Sequence, residues 1–468
     1  MIHALRVAKT TSVYLRAKAR FRALAVVISF FLAQSVLSAW GQQPSAPPNH
    51  YQMPGMQHSH GMQHEHGNME MKPATLIENI ENHMGDGTSV EPNSTPTPML
   101  MTTKGNWMLM LHGLGFINME QQSGTRGYDK IFSTNWAMGM AQHDFAGGKL
   151  TLRAMLSLDP ATVTHRYYPE LFQTGETAFG RPIVDGQHPH DFIMELGVLY
   201  DRKIGDRGLL SLYAAPVGDP ALGPTAYPHR MSASEDPIAS LGHHQQDSTH
   251  IASSVFTVGG TYRIVRLEAS GFHGREPNEQ RWDIDTGGID SWAARLTVNP
   301  NQNWSLQYSL GSLHSPEETH PQENVRRMTA SAGYNRPLTN GNWASTLVWG
   351  RNRSLHTGDV FNGYLLESTL RFATRNYVWS RIENTDRSNE LLFTKGNVPP
   401  GFEEAPLARV QAYTFGYDRD IDLVPHLATA IGGQATAYAV PDKLKSKYGS
   451  HAAGVVLVVR LRPFRNQR

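Results

Sequence analysis

Bulky apolar residues alternate with small or polar ones in Trp304-Ser305-Leu306-Gln307-Tyr308-Ser309-Leu310-Gly311. Successive side chains of a β-strand point to opposite faces, so this period of two gives one apolar and one polar face. A strand of a transmembrane barrel needs both faces, because one meets lipid and the other meets the lumen. The same alternation occurs in 192–200 and 292–298. The chain is therefore predicted to cross a membrane with strands.

Sixteen segments of the chain carry this pattern, and the connections between them alternate in length. Connections at 146–148, 205–206 and 374–375 are tight, whereas 159–189 and 217–249 are long. Short periplasmic turns and long outer loops are typical of outer-membrane barrels. We therefore expect an all-β fold, an antiparallel transmembrane β-barrel of about 16 strands embedded in the outer-membrane lipid of a Gram-negative bacterium; a large soluble β-protein is the alternative. The predicted strands are 106–119, 131–145, 149–158, 190–202, 207–216, 250–262, 264–273, 290–299, 302–313, 324–335, 341–351, 360–373, 376–386, 407–419, 427–439 and 451–462.

The first residues are typical of an export signal. Six basic side chains between Arg6 and Arg22 precede an apolar run from Ala23 to Leu37. This order predicts a secretory signal peptide over 1–41, with an uncleaved anchor as the alternative. Without those six residues the formal net charge of +1 becomes negative, so nucleic acid is not an expected partner. The chain has no cysteine, which excludes disulfides and thiolate metal sites.

Residues 42–104 are rich in Pro, Gly, Met, His, Asn and Ser, and are predicted to form a mostly disordered periplasmic arm. One short helix is predicted within the arm, because Thr75 and Glu78 have capping-box spacing and Gly85 is a suitable stop. Residues 105–468 are assigned to the barrel. The apolar face of the short helix would carry Leu76, Ile77, Ile80 and Met84.

Methionine and histidine are concentrated in residues 50–71, here called the Met/His tract. Thioether sulfur prefers Cu(I), whereas imidazole accepts Cu(II), Zn(II) or Ni(II), so a mixed tract favours copper. A low-complexity linker is the alternative, although linkers usually draw on Gly, Ser, Pro and Glu. The predicted ligands for Cu(I) and Cu(II) are His50, Met53, Met56, His58, His60, Met62, His64, His66, Met69 and Met71.

In its order of parts the chain resembles the copper-resistance outer-membrane proteins, which have a signal peptide, a Met/His-rich amino-terminal segment and a β-barrel. The resemblance is architectural and depends mainly on residues 50–71. It implies that the Met and His residues of this tract bind copper. It assigns no copper ligand in the barrel.

The two longest loops carry a second group of candidate ligands. If 243–250 is helical, His243, Asp247 and His250 share one face at a spacing able to bind a borderline metal. The alternative, which we favour, is loop packing in which the imidazoles hydrogen-bond the backbone of a folded lid. The candidate loop ligands are His188, His190, His243, Asp247 and His250.

Charged residues of both signs occupy positions that should face the lumen. In an aqueous channel they would set the transverse field and the selectivity. In an occluded lumen they would form structural ion pairs, and the sequence leaves both interpretations open. The pore-lining candidates are Arg153, Glu195, Arg266, Glu268, Arg295, Glu367 and Arg371.

These features favour a non-enzymatic protein: an outer-membrane β-barrel whose periplasmic arm binds a soft metal of the copper type, acting in metal tolerance or transport. A general diffusion porin with an incidental Met/His tail is the first alternative. An outer-membrane lipid hydrolase is the second, and it ranks last because the sequence has no Gly-x-Ser-x-Gly elbow. Besides lipid, the expected partners are periplasmic metal carriers and, as for porin-like barrels, two further copies of the chain in a homotrimer.

Overall fold

The computed structural model describes residues 73–462 except positions 97, 395, 400, 422 and 424–426. The predicted signal peptide and the Met/His tract therefore lie outside the described residues. Strands account for most of the fold. Their bounds are β1 Leu100–Lys104, β2 Trp107–Gln122, β3 Asp129–Phe145, β4 Gly148–Leu156, β5 Tyr168–Ala178, β6 Arg181–Gln187, β7 Ile193–Ile204, β8 Gly208–Gly218, β9 Ala252–Tyr262, β10 Val265–His273, β11 Ser291–Asn301, β12 Trp304–His314, β13 Asn324–Leu338, β14 Gly341–Ser354, β15 Val360–Phe372, β16 Asn376–Ser388, β17 Pro406–Asp420, β18 Ala428–Ala439 and β19 Ala453–Arg462.

Sixteen of these strands form one closed antiparallel barrel. β2 to β4 and β7 to β19 pair with their neighbours in chain order, and β4 pairs with β7 across the β5–β6 hairpin. The barrel closes where β19 pairs with β2, from Gly454 opposite Gln122 to Leu461 opposite Gly115. β1 extends the sheet beside the start of β2. The prediction of a 16-stranded barrel is confirmed, and each predicted strand corresponds to one strand of this barrel.

The two faces of the sheet differ as the alternation predicted. In β12, Trp304, Leu306 and Tyr308 are exposed on the outside, whereas Ser305 and Ser309 are buried inside. A closed sheet has no free edge, so every strand satisfies its backbone groups within the membrane. With an apolar outer surface of this kind, the barrel lies in the outer membrane and contacts its lipid.

The two ends of the barrel differ in their connections. One end, here called the tight-turn end, has turns such as 146–147, 302–303 and 373–375, whereas the other, the loop end, carries segments such as 219–251 and 274–290. Short turns face the periplasm in outer-membrane barrels. The tight-turn end is therefore the periplasmic end.

Within the described residues, four short α-helices accompany the strands: α1 Leu76–Asn82, α2 Asp159–Thr162, α3 His243–Gln246 and α4 Asp442–Tyr448. Among the described residues, no helix combines the length and apolarity needed to traverse a bilayer. The helix expected after Thr75 is present, and the Thr75 hydroxyl accepts a hydrogen bond from the Glu78 N–H at 3.2 Å. It ends at His83, in the left-handed conformation with φ 50°, rather than at Gly85 as expected.

The interior of the barrel is filled by three segments of the same chain: residues 73–96, the connection that carries the β5–β6 hairpin, and the loop 219–251. α1 packs Leu76, Ile77 and Ile80 against Leu209 of the wall. Nearly every residue of 219–251 is buried. The sequence predicted long loops at 159–189 and 217–249 and a periplasmic arm at 42–104, but not that all three segments enter the lumen.

Candidate functional site

Residues 73–96, here called the N-terminal segment, are held inside the barrel by the wall. The Arg153 guanidinium of β4 donates hydrogen bonds to the carbonyl oxygens of His83 at 3.2 Å and Gly85 at 2.7 Å, and also to that of Gly87. Charge-assisted hydrogen bonds of this kind are among the stronger ones in proteins. We expected these residues in the periplasmic arm, whereas the structure places them in the lumen.

The loop 219–251, here called the inward loop, enters from the loop end. Its Arg230 is fully buried and pairs with Asp247 of the same loop at 2.9 Å and with Glu367 of β15 at 2.5 Å. The hairpin β5–β6 lies beside it, since the Gln173 side chain donates to the Ser240 carbonyl at 3.3 Å. Charged groups of the wall therefore anchor the loop that fills the barrel.

The candidate pore-lining residues all occupy inward positions, and most form buried ion pairs. Arg153 lies 2.6 Å from Glu195. The two carboxylate oxygens of Glu268 lie 3.0 Å from Arg266 and 3.0 Å from Arg295. Buried charged groups need a partner of opposite charge, because an unpaired charge in the protein interior has a high free-energy cost.

The two remaining pore-lining candidates, Glu367 and Arg371, differ in their burial. Glu367 is buried between Arg230 and Arg381 of the neighbouring strand β16. Arg371 is half-buried near the tight-turn end, where it donates to the Thr374 carbonyl at 2.9 Å. Six of the seven side chains thus have the arrangement expected of an occluded lumen.

Four of the five candidate loop ligands gather in the inward loop and its surroundings. His243 Nδ1 lies 2.7 Å from Asp247 Oδ1. The ring centroid of His250 lies 5.3 Å from that of His243 and 5.5 Å from that of His190. His188 lies apart from these four and contacts a different carboxylate.

Residues 243–250 do not form the single helix that the shared face of His243, Asp247 and His250 required. α3 ends at Gln246, Asp247 departs from helical geometry with φ −146°, and a separate 3₁₀ turn follows at Ser248–Ile251. The side chains converge because the chain folds back at the break, where His250 Nδ1 donates to the Asp247 carbonyl at 2.8 Å.

Burial determines the protonation of these imidazoles. It lowers the pKa of His250 to about 3 and that of His188 to about 4. The His250 ring uses its Nδ1–H to donate to the backbone carbonyl of Asp247. Neutral rings bonded to the backbone are what the loop-packing alternative expects, and metal binding by the five candidates stays a prediction.

His188 takes part in a compact group with Glu176 and His244, whose ligand atoms all lie within 4.8 Å of one another. His188 Nε2 is 2.6 Å from Glu176 Oε1. Arg281 also pairs with Glu176, so a positive charge already neutralises this carboxylate and opposes the binding of a cation.

A further group, which the sequence did not single out, lies on the inner wall near the tight-turn end. The register places His112 of β2 opposite Met138 of β3, and Met138 opposite Met155 of β4. On the next inward position, Met110 pairs with Met140. The signal was present in the alternation, because methionine occupies lumen-facing positions where a barrel usually carries polar residues.

Nine methionines form one cluster at this place, here called the methionine cluster. It borders a cavity of ≈ 250 Å³ whose inner wall includes His112, Trp136 and His229. Pro73 and Arg371 line the same cavity near the tight-turn end. The buried members of the methionine cluster are Met99, Met110, Met138, Met140, Met155 and Met194, and the half-buried members are Met84, Met101 and Met108.

Comparison with known proteins returned solved structures only, since no protein-family model and no curated protein matches the chain. An anion-selective porin from Comamonas acidovorans is similar at 13% identity and a TM-score of 0.47, covering 76% of this chain and 99% of that one. Salmonella typhi OmpF, in complex with daunomycin, is similar at 9% identity and 0.47, covering 78% and 100%. Outer-membrane expressed OmpT of Vibrio cholerae is similar at 8% identity and 0.42, covering 77% and 99%.

Proposed function

We propose that this protein is an outer-membrane barrel that binds soft metal ions of the copper type and acts in metal tolerance or transport. The observation that carries the proposal is the methionine cluster inside the barrel. Thioether sulfur is a soft ligand that favours Cu(I), and silver follows the same preference. Nine of the eighteen methionines of the chain belong to this cluster.

The Met/His tract supports the same chemistry from the sequence. It holds five more methionines and ends two residues before Pro73, which lines the cavity bordered by the methionine cluster. The order of parts also resembles that of the copper-resistance outer-membrane proteins. In this proposal copper is the transported cargo, which is exchanged between ligands of the tract and ligands of the barrel. The proposed partners are periplasmic metal carriers, and the proposed assembly is a homotrimer.

Packing is the alternative explanation of the methionine cluster. Methionine fills irregular gaps in apolar cores, and Met84 and Met99 come from the segment that precedes β1. Leucine would satisfy that role equally well, because Leu and Met exchange at little cost in volume. A soft metal would not accept leucine. Substitution therefore separates the two explanations.

A general diffusion porin needs an open aqueous lumen. The described residues instead fill the barrel with the N-terminal segment, the inward loop and buried ion pairs. The structure therefore favours a gated or closed lumen over a permanently open pore. Conductance of the purified protein in planar bilayers would show large, constant steps if the porin alternative were right.

The test uses the full chain, purified in detergent and titrated with Cu(I) without oxygen against a chromogenic Cu(I) chelator. We expect bound copper in a defined ratio to the protein, and competition by Ag(I). Mg(II) serves as the control, since it prefers oxygen ligands to thioether and imidazole. No Cu(I) binding in competition with the chelator, together with large constant conductance, would replace our proposal with the porin alternative.

A further inference from the structure

His229 of the inward loop has one ring nitrogen already assigned. Its Nδ1 lies 3.1 Å from the Met84 carbonyl oxygen, which can only accept, so Nδ1 carries the proton. A neutral imidazole has a single N–H, which is the one that Nδ1 donates here. The other nitrogen, Nε2, therefore presents a lone pair.

That lone pair faces a sulfur atom. His229 Nε2 lies 3.3 Å from Met155 Sδ, and a thioether has no proton to donate. Two electron-pair donors at this distance are matched by a cation that accepts from both. A soft metal ion bound to both atoms would accept one electron pair from the imidazole nitrogen and one from the thioether sulfur.

The imidazole of His112 lies beside that of His229. The ring centroids of His112 and His229 lie 5.6 Å apart, and His112 is 4% exposed. His112 Nε2 is buried and has no hydrogen-bond partner among the described residues. Buried polar atoms normally have a partner, so this nitrogen has an unused lone pair or proton at the cavity wall.

Two further neighbours fit a soft cation. Met138 lies opposite His112 and next to Met155 in the sheet, so a second thioether is within the same row. Trp136 stacks on His229 with ring centroids 4.3 Å apart. An aromatic face attracts cations, which would add to binding without adding a ligand.

The charge of the site selects the oxidation state. The candidate ligands are all neutral, and Arg153, which lies near both imidazoles, is paired with Glu195 at 2.6 Å. A doubly charged ion pays a much larger desolvation cost in a buried site than a singly charged one. Hard divalent ions also prefer oxygen ligands, and borderline divalent ions accept imidazole but bind thioether poorly. Neutral nitrogen and thioether donors therefore fit a monovalent soft ion.

We propose that His112, His229 and Met155, with Met138 beside them, form a binding site for Cu(I) or Ag(I) in the barrel wall. The inference deepens the proposed function and depends on it, because it names where in the barrel the soft metal binds. The ion reaches the site through the cavity, whose lining extends from His112 and His229 to Arg371 near the tight-turn end.

The test removes the Met/His tract as a competing binder while keeping the chain whole. In this tract-silenced chain, the five tract methionines are replaced by Leu and the five tract histidines by Asn. It is titrated with Cu(I) without oxygen, and with Ag(I). We expect one ion per barrel and an X-ray absorption spectrum with both nitrogen and sulfur neighbours.

Site variants are made in the tract-silenced chain. Met155→Leu and His229→Gln should each weaken Cu(I) binding by at least about tenfold, since even outer contacts of metal sites cost that much. Met119→Leu is the matched control, because Met119 lies on the same strand as His112 but is 45% exposed and does not belong to the methionine cluster. Circular dichroism and heat-modifiable migration show whether each variant is folded.

The outcomes separate this site from the proposed function. If the native chain binds Cu(I) but the folded tract-silenced chain does not, the barrel site is wrong and the tract is the binder. If folded Met155→Leu and His229→Gln bind Cu(I) as tightly as their parent and as Met119→Leu, the assigned ligands are wrong. If neither the native nor the tract-silenced chain binds, both proposals fall.

Discussion

At the scale of single residues, Leu306 tests which face of β12 meets lipid. It is 40% exposed on the lipid face of β12. We predict that Leu306→Arg destabilises the barrel by ~2–4 kcal/mol if the position lies near the bilayer midplane, because the charge must enter hydrocarbon. Asn340→Arg, in an exposed tight turn, is the control and should change the unfolding free energy little. Urea unfolding in lipid vesicles measures both, and equal costs would contradict the assigned face.

Arg153 is a second residue with a clear consequence, since its guanidinium pairs with Glu195 and holds the N-terminal segment. Arg153→Met should destabilise the protein by ~3–5 kcal/mol, because it leaves a buried carboxylate without its partner. Adding Glu195→Gln should restore part of that loss. Unfolding curves of the two variants give the difference, and an equal or larger loss in the double variant would show that the pair is not the cause.

At the scale of elements, the inward loop should respond to acid. Burial lowers the pKa of His250 to about 3, whereas an unfolded histidine titrates near about 6.5. As the pH falls below about 6.5, the His250 imidazole binds a proton in the unfolded loop but stays neutral in the folded loop. The folded loop therefore loses stability progressively down to about pH 3. Asp191, whose pKa is raised to about 7 by burial, acts in the opposite direction.

A comparison of variants isolates the histidine contribution. His250→Gln should make the loss of protection in 219–251 shallower between about pH 7 and 4, as hydrogen exchange or limited proteolysis would report. His356→Gln, in an exposed loop, should leave the profile of the native chain unchanged. Identical slopes for the native chain and His250→Gln would show that this imidazole does not titrate with loop opening.

The sequence predicted the elements of the wall far better than those of the interior. Alternation is a local property, so β12 could be placed from residues 304–311 alone. The course of the inward loop depends instead on contacts distant in sequence, such as that of Arg230 with Glu367, which no local pattern carries. The contact between His229 and Met155 was not predicted for the same reason, since the two side chains meet only after the inward loop has entered the barrel.

For the whole molecule, the orientation in the membrane is open to a direct test. Epitope tags inserted at Gly288 and Gly401, in exposed positions of long loops, should bind antibody on intact cells. A tag at Gly147, in a tight turn, should bind only after the outer membrane is opened. All three glycines have open space where a side chain would begin. The reverse labelling pattern would show that the barrel has the opposite orientation in the membrane.

The seam between β19 and β2 determines the order in which the molecule can be assembled. Gly454 and Gln122 belong to the last and the first strands of the barrel, so their hydrogen bonds close the longest loop in the sheet and form late. The N-terminal segment precedes β2 in the chain but ends enclosed by all sixteen strands. Biogenesis must therefore seat this segment before or during closure, and a chain that closes first would be kinetically trapped with a hollow interior.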